Sequence, residues 1–126
     1  MRRAYICSPL SGNISGNIEN AKRYARYIFK CGMAPVIPHF YALVLNDEIP
    51  DERKLGMQAG LSLLWVCDEV WVFGDEITEG MKKEIIFAEK LKNYSLFLFV
   101  ASAERNENPF ADLNQIGKGR RYKVVK

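Results

Sequence analysis

A chain of 126 residues is about one domain's worth of sequence, and 48% apolar with 26% charged residues is the make-up of a globular fold, which excludes disorder, collagen and coiled coil for the chain as a whole. Eighteen Lys and Arg against fifteen Asp and Glu leave a formal charge of +3, too small and too dispersed to point to a nucleic-acid polymer as partner. The longest apolar run, residues 96–101, falls far short of the roughly 20 residues of a bilayer span, and residues 4–7 are too short for a signal-peptide core. A single cytoplasmic domain over residues 1–126 with no membrane contact is therefore expected.

Cys7, Cys31 and Cys67 are odd in number and widely spaced, and His39 is the single histidine, so neither a disulfide framework nor a metal site is expected. Small buried hydrophobes in a reducing compartment fit the cysteines better, and no cofactor is implied.

Taken in chain order, Tyr5-Ile6-Cys7 reads as a first strand, closed by Ser8-Pro9 and a loop of Ser, Asn and Gly up to Gly16. From Asn17, apolar residues recur at Ile18, Ala21, Ala25, Ile28 and Phe29, the stripe of an amphipathic helix with Ser15 or Asn17 as its cap and Gly32 at its end. Residues 34–38 are expected to form a second strand, with Pro35 and Pro38 confining it to an edge or to its ends. Residues 39–50 show no period. A second helix runs from Pro50 to about Val66, with Leu55, Ala59, Ser62, Leu63 and Val66 on one face and a further apolar strip at Leu61 and Trp65, which predicts a homodimer or higher homo-oligomer through that strip. Val70-Trp71-Val72-Phe73 is continuously apolar, as a central parallel strand covered on both faces would be. A third helix is expected from Thr78 to about Lys92, a strand over residues 96–100, a helical turn over 110–116 and a last strand over 122–125. Strands alternating with helices predict an α/β domain with a parallel sheet and right-handed crossovers.

Ligands of open parallel sheets bind beyond the carboxyl ends of the strands, so the loops 8–17, 38–51 and 74–81 carry the chemistry. The first offers Ser8, Ser11, Gly12, Asn13 and Gly16 before a helix N-terminus; it reads either as an anion cradle or as an ordinary strand-to-helix turn. In the third helix Met81, Glu84, Ile85 and Ala88 share one face, so Glu84 lies on the apolar stripe while Lys82, Lys83, Glu89 and Lys90 take the other side. A charge on an inward face costs several kcal/mol unless paired or lining a cavity, which makes Glu84 a candidate functional carboxylate; a solvated first-turn acid is the plain alternative. Gly80, one turn earlier, lets a ligand approach the backbone. Thr78 caps that helix or donates to an anion, and Asp75, Glu76 and Glu79 offer a second carboxylate or simply a solvated edge.

Five stretches together resemble a known group. They are Tyr5-Ile6-Cys7-Ser8-Pro9-Leu10-Ser11-Gly12, Asn17-Ile18-Glu19-Asn20-Ala21, Pro38-His39-Phe40, Cys67-Asp68-Glu69-Val70-Trp71-Val72-Phe73-Gly74-Asp75 and Glu79-Gly80-Met81-Lys82-Lys83-Glu84-Ile85. In that order they are similar to the nucleoside 2-deoxyribosyltransferase-like superfamily, and more closely to a small branch of it found in phage and bacterial genomes. The resemblance implies a flavodoxin-like Rossmann three-layer sandwich with a four- to five-stranded parallel sheet, homo-oligomers, and cleavage of the N-glycosidic bond of a nucleotide or (deoxy)nucleoside by hydrolysis or by sugar transfer. It also implies that Glu84 is the nucleophile or ion stabiliser and that Tyr5 orients it. Ser8, Gly12, Asn13, Asp75, Thr78, Gly80 and Met81 would then contact sugar, base or phosphate, with His39 and Tyr41 closing over the base. Thr78, six residues before Glu84, stands where the related monophosphate hydrolases place a serine on the 5′-phosphate, which tilts the expectation toward a nucleotide. The sugar-contacting aspartate of the superfamily falls at Gly60, and the first loop has no phosphate-binding arginine. A module that binds a nucleotide without cleaving it is the alternative.

Overall fold

Side chains on successive residues of a strand point to opposite faces, and in the first strand both faces are covered. The computed structural model of the protein describes residues 1–91, 96–99 and 119–124. In it β1 (Arg3–Cys7) sends Ala4 and Ile6 into one apolar cluster and Tyr5 and Cys7 into another, none of the four more than 1% exposed. The first cluster is closed by α1 (Ile14–Lys30) through Tyr24, Ala25, Tyr27 and Ile28. The second is closed by α2 (Pro50–Leu63) and α3 (Glu79–Leu91), through Leu61, Leu63, Met81, Ile85 and Ala88, with Leu64 just past α2. The chain is therefore a mixed α/β structure with helices on both faces of its sheet.

The sheet order is β2-β1-β3-β5-β4, with β2 spanning Ala34–Val36, β3 Glu69–Phe73, β4 Leu96–Phe99 and β5 Gly119–Val124. β2, β1 and β3 pair in parallel, and β2 lies at the edge, where its proline leaves no ladder donor missing on an inner strand. β5 pairs antiparallel with both β3 and β4. The parallel pairing thus extends over three strands rather than the four or five expected, because the last strand returns between its predecessors, a placement that needs no crossover helix. β3, buried from end to end, is the inner strand that its apolar run predicts. A cross-link between Arg3 N–H and Asp68 Oδ2 at 2.8 Å, returned by Asp68 N–H to the Arg3 carbonyl at 2.9 Å, sets the register of β1 against the start of β3.

Local differences from the sequence pattern have physical causes. α1 begins three residues before Asn17, because Asn13 is its N-cap: Asn13 Oδ1 accepts the Gly16 N–H at 3.3 Å. Gly32, with φ of +78°, closes the other end as expected. Phe29 is 62% exposed, and Tyr24 and Tyr27 take the buried places instead. Tyr24 stacks on Phe73 with ring centres 4.2 Å apart, which holds α1 to β3. Pro38–Leu43 forms a 3-10 turn where no period was visible. α2 stops at Leu63 and a 3-10 turn completes it over Leu64–Val66. Its inward line is Met57, Gly60, Leu61 and Leu64, so Leu55, Ser62 and Val66 are exposed rather than buried, and Leu61 faces the core rather than joining Trp65 in an outer strip. Trp65 is 60% exposed. Lys92, Val100, Val125 and the turn expected over residues 110–116 lie outside the described residues. Among the described residues no helix is long and apolar enough to cross a membrane.

The stacked pair gives a direct test of this core. Phe73→Ala is expected to lower the free energy of unfolding by roughly 3–5 kcal/mol in urea denaturation, the usual cost of an aromatic cavity. A loss below about 1 kcal/mol would show that the ring bears little of the packing.

Candidate active site

The carboxyl ends of β1 and β3, the segment after β2, α2 and the first turns of α3 surround one cavity. β1 and its loop contribute Tyr5, Ser8, Leu10 and Ser11; residues 38–47 contribute Pro38, His39, Tyr41, Ala42, Leu45 and Asp47. α2 supplies Glu52, Arg53, Gly56, Met57 and Gly60, and the start of α3 supplies Thr78, Glu79, Gly80, Met81 and Glu84. The volume, about 140 Å³, is many times the roughly 10–15 Å³ that one water requires, so the space suits an organic ligand rather than a single ion. Among the described residues no three His, Cys, Asp or Glu side chains are grouped to hold a metal.

Glu84 lies on the inward face of α3 and is 8% exposed. Its Oε1 is 3.8 Å from Cys7 Sγ, and the Tyr5 hydroxyl is within hydrogen-bonding reach of the carboxyl. Tyr5 and Cys7 are two apart on β1, so both point at the same helix. No Lys, Arg or His pairs with Glu84 among the described residues: Lys82 and Lys83 project from the exposed side, and Lys82 is bound to Glu79 at 2.9 Å. Burial raises the Glu84 carboxyl to about 8, and the Tyr5 and Cys7 donors, which pull it down, do not offset the lost hydration. Burial, and then the charge of Glu84, push the Tyr5 phenol and the Cys7 thiol well above their ordinary values.

His39 is 3% exposed and is tied to the first loop. Its Nε2 is 3.0 Å from the Ser8 carbonyl and 2.9 Å from Ser8 Oγ. A carbonyl only accepts, so Nε2 carries the hydrogen and the other ring nitrogen, Nδ1, is a buried lone pair with no partner among the described residues. Burial lowers the basicity of the ring, opposed by the Ser8 carbonyl, so the neutral form pins Ser8 in place. This is a fixed post in the wall rather than a side chain free to fold over a base.

Tyr5, Ser8, His39, Tyr41, Thr78, Gly80, Met81 and Glu84 all line this cavity. Gly12, Asn13 and Asp75 do not line the cavity. The side chain of Asn13 is used as the α1 cap, Gly12 takes the positive φ of +95° that turns the loop, and Asp75 is exposed beyond the bend at Gly74. Thr78 acts as a cap for α3, its Oγ1 accepting the Met81 N–H at 3.3 Å. Arg53, Asp47, Glu52 and Met57 were not anticipated; the irregular 39–50 segment and the turn-by-turn orientation of α2 hid them. Gly60 leaves room for its neighbours: a Cβ would lie 3.3 Å from Pro38 Cβ and 3.4 Å from the Tyr5 hydroxyl.

Residues 2–96 match a family described as a domain of unknown function (DUF7768). The chain belongs to the DUF7768 family. Every residue lining the cavity falls within the matched part of this DUF7768 domain. No curated protein and no solved structure matches the chain.

The unpaired carboxyl predicts a stability signature that needs no substrate. A carboxyl raised from 4.5 unfolded to about 8 folded binds more protons in the native state between those values, so stability falls as pH rises through that window. Glu84→Gln removes that loss. It should leave the free energy of unfolding nearly unchanged at pH below 4.5 and raise it progressively up to pH 8, the gain reaching on the order of 5 kcal/mol, read by urea denaturation across that range. A variant equally or less stable than the parent at pH 8 would contradict the burial of an unpaired carboxyl.

Proposed function

We propose that the DUF7768 domain cleaves the N-glycosidic bond of a nucleoside, with Glu84 as the reacting carboxylate and Tyr5 orienting it. The observation that carries the reading is the buried Glu84 carboxyl at the cavity wall, with no cation beside it among the described residues. When a glycosidic bond breaks, the sugar carbon becomes oxocarbenium-like and supplies the positive charge that this carboxylate lacks. The attraction is therefore stronger in the transition state than in the resting site, which is the condition for catalysis. In atoms, a Glu84 oxygen bonds to the anomeric carbon, the carbon–nitrogen bond breaks, and the base leaves with the electron pair and takes a proton. Water or a second base then displaces the ester and returns the carboxylate.

The β2-β1-β3 order with helices on both faces also supports a flavodoxin-like Rossmann arrangement, whose ligands sit beyond the carboxyl ends of the strands. Charge favours an unphosphorylated substrate over a nucleotide. Among the described residues the cavity is rimmed by Asp47 and Glu52, with Glu79 already paired to Lys82, against one exposed cation, Arg53, and the Asn13 side chain occupies a donor at the α1 N-terminus that a phosphate would use. A binding module without turnover is the second reading, favoured by Gly60 in place of the sugar-contacting acid. Assembly of copies through the exposed Trp65 and Val66 belongs to the same proposal. Sedimentation should show a mass above the monomer that Trp65→Glu returns to the monomer, whereas a monomeric parent removes the idea.

The decisive assay incubates the protein with nucleosides and their 5′-monophosphates and follows free base by chromatography. Base release is expected from a nucleoside in preference to its monophosphate, with kcat/KM rising with pH toward about 8 as Glu84 ionises. Glu84→Gln should reduce it by at least about a hundredfold. Full turnover in that variant would refute the assignment, and a nucleoside recovered intact from a tight complex would favour binding alone.

A further inference from the structure

Cys7 is fully buried at the back of the cavity wall, and its sulfur stands 3.8 Å from each of two acceptors, the Met81 carbonyl and Glu84 Oε1. A thiol has one hydrogen and serves one acceptor at a time. The two acceptors differ in need. The Met81 carbonyl lies in the first turn of α3, where helix geometry gives it an N–H donor from the next turn, so losing the thiol costs it little. Among the described residues the Glu84 carboxylate has no cation and only Tyr5 and Cys7 as side-chain donors, so it takes the hydrogen when ionised. A neutral carboxylic acid is the weaker acceptor, and the hydrogen returns to the carbonyl.

We propose that Cys7 is a positioning residue whose S–H turns from the Met81 carbonyl to Glu84 Oε1 when that carboxyl ionises, and back when it is protonated, steadying the carboxylate in its charged form alone. The inference rests on Glu84 being the reacting group. A thiol is a weak donor, so it fixes the direction of the carboxylate without supplying the charge that the reaction centre is to supply. A hydroxyl in its place would hold the carboxylate too well before the sugar arrives. Among the described residues the other titratable group facing Glu84 is Tyr5, also from β1. Further round the cavity stand His39, Tyr41 and Asp47 of the 38–47 segment, Glu52 and Arg53 of α2 and Glu79 of α3.

Infrared spectroscopy reads both partners. The protonated-carboxyl band, assigned by its loss in Glu84→Gln, gives the midpoint of Glu84, and the S–H stretch, assigned by its loss in Cys7→Ala, reports the acceptor of the thiol. Cys7→Ser should lower the midpoint by about half a unit to one unit and Cys7→Ala should raise it by a similar amount. In the unaltered protein the S–H band should move to lower frequency as Glu84 ionises and stay still in Glu84→Gln. Unchanged midpoints in both Cys7 variants overturn the proposal, and so does an S–H band that does not follow the carboxyl; the second criterion holds even if a Cys7 variant fails to fold. Protein that cleaves nucleosides with an unmoved S–H band removes this inference alone. Protein that cleaves none, with the band moving as described, removes the proposed reaction and leaves the coupling of Cys7 to Glu84 standing.

Discussion

A carboxyl group taken out of water, with no cation to meet it among the described residues, is the constraint around which this part of the molecule is arranged. Glu84 reaches that state because α3 is amphipathic with its acid on the inner stripe, while Lys82 and Lys83 are carried to the outer side by the same helical period. β1 meets it with Tyr5 and Cys7, two donors at a two-residue spacing, each of which helps the charged form and neither of which restores what hydration supplied. The rest of the sheet exists, from the point of view of this site, to keep β1 and α3 in contact. β1 is flanked on both sides by parallel neighbours, its first residue Arg3 is tied to Asp68, and its opposite face is covered by α1, which the Tyr24–Phe73 stack also holds to β3.

Such an arrangement costs stability, and the cost is a reason to look for function. A glutamine would fill the same space without the penalty of a buried ionisable group, and a folded domain of this size has a total margin of only about 5–15 kcal/mol. Ionisable groups perturbed in this way cluster at functional sites, which supports the proposed role of Glu84. The wall opposite is built differently: His39 is held neutral against Ser8, and Gly60 leaves room beside the Tyr5 hydroxyl, so the cavity keeps its shape without placing a positive charge next to Glu84.

Much of this was legible in the residues. The inward placement of Glu84 followed from the spacing Met81, Glu84, Ile85 and Ala88, because helical period alone decides which side a residue takes. The buried β3 followed from an unbroken apolar run, and the edge position of β2 from its prolines. What escaped were choices set by tertiary contact. Asn13 and Ser15 are comparable capping residues in isolation, and only the path of the loop made Asn13 the cap. Either strip of α2 is apolar enough to face a core, so the sequence did not reveal that Leu61 turns inward and Leu55 outward. The antiparallel return of β5 has no local signature, since direction in a sheet is a property of the connection rather than of the strand. Arg53 joined the cavity for the same reason that the 39–50 segment defied prediction: its neighbours come from irregular chain.

The most direct test of the account is the titration of the Glu84 carboxyl carbon by carbon-13 nuclear magnetic resonance in the free protein, with Glu84→Gln identifying the resonance. The account predicts a single midpoint near pH 8, and a midpoint at the ordinary 4.5 would contradict it.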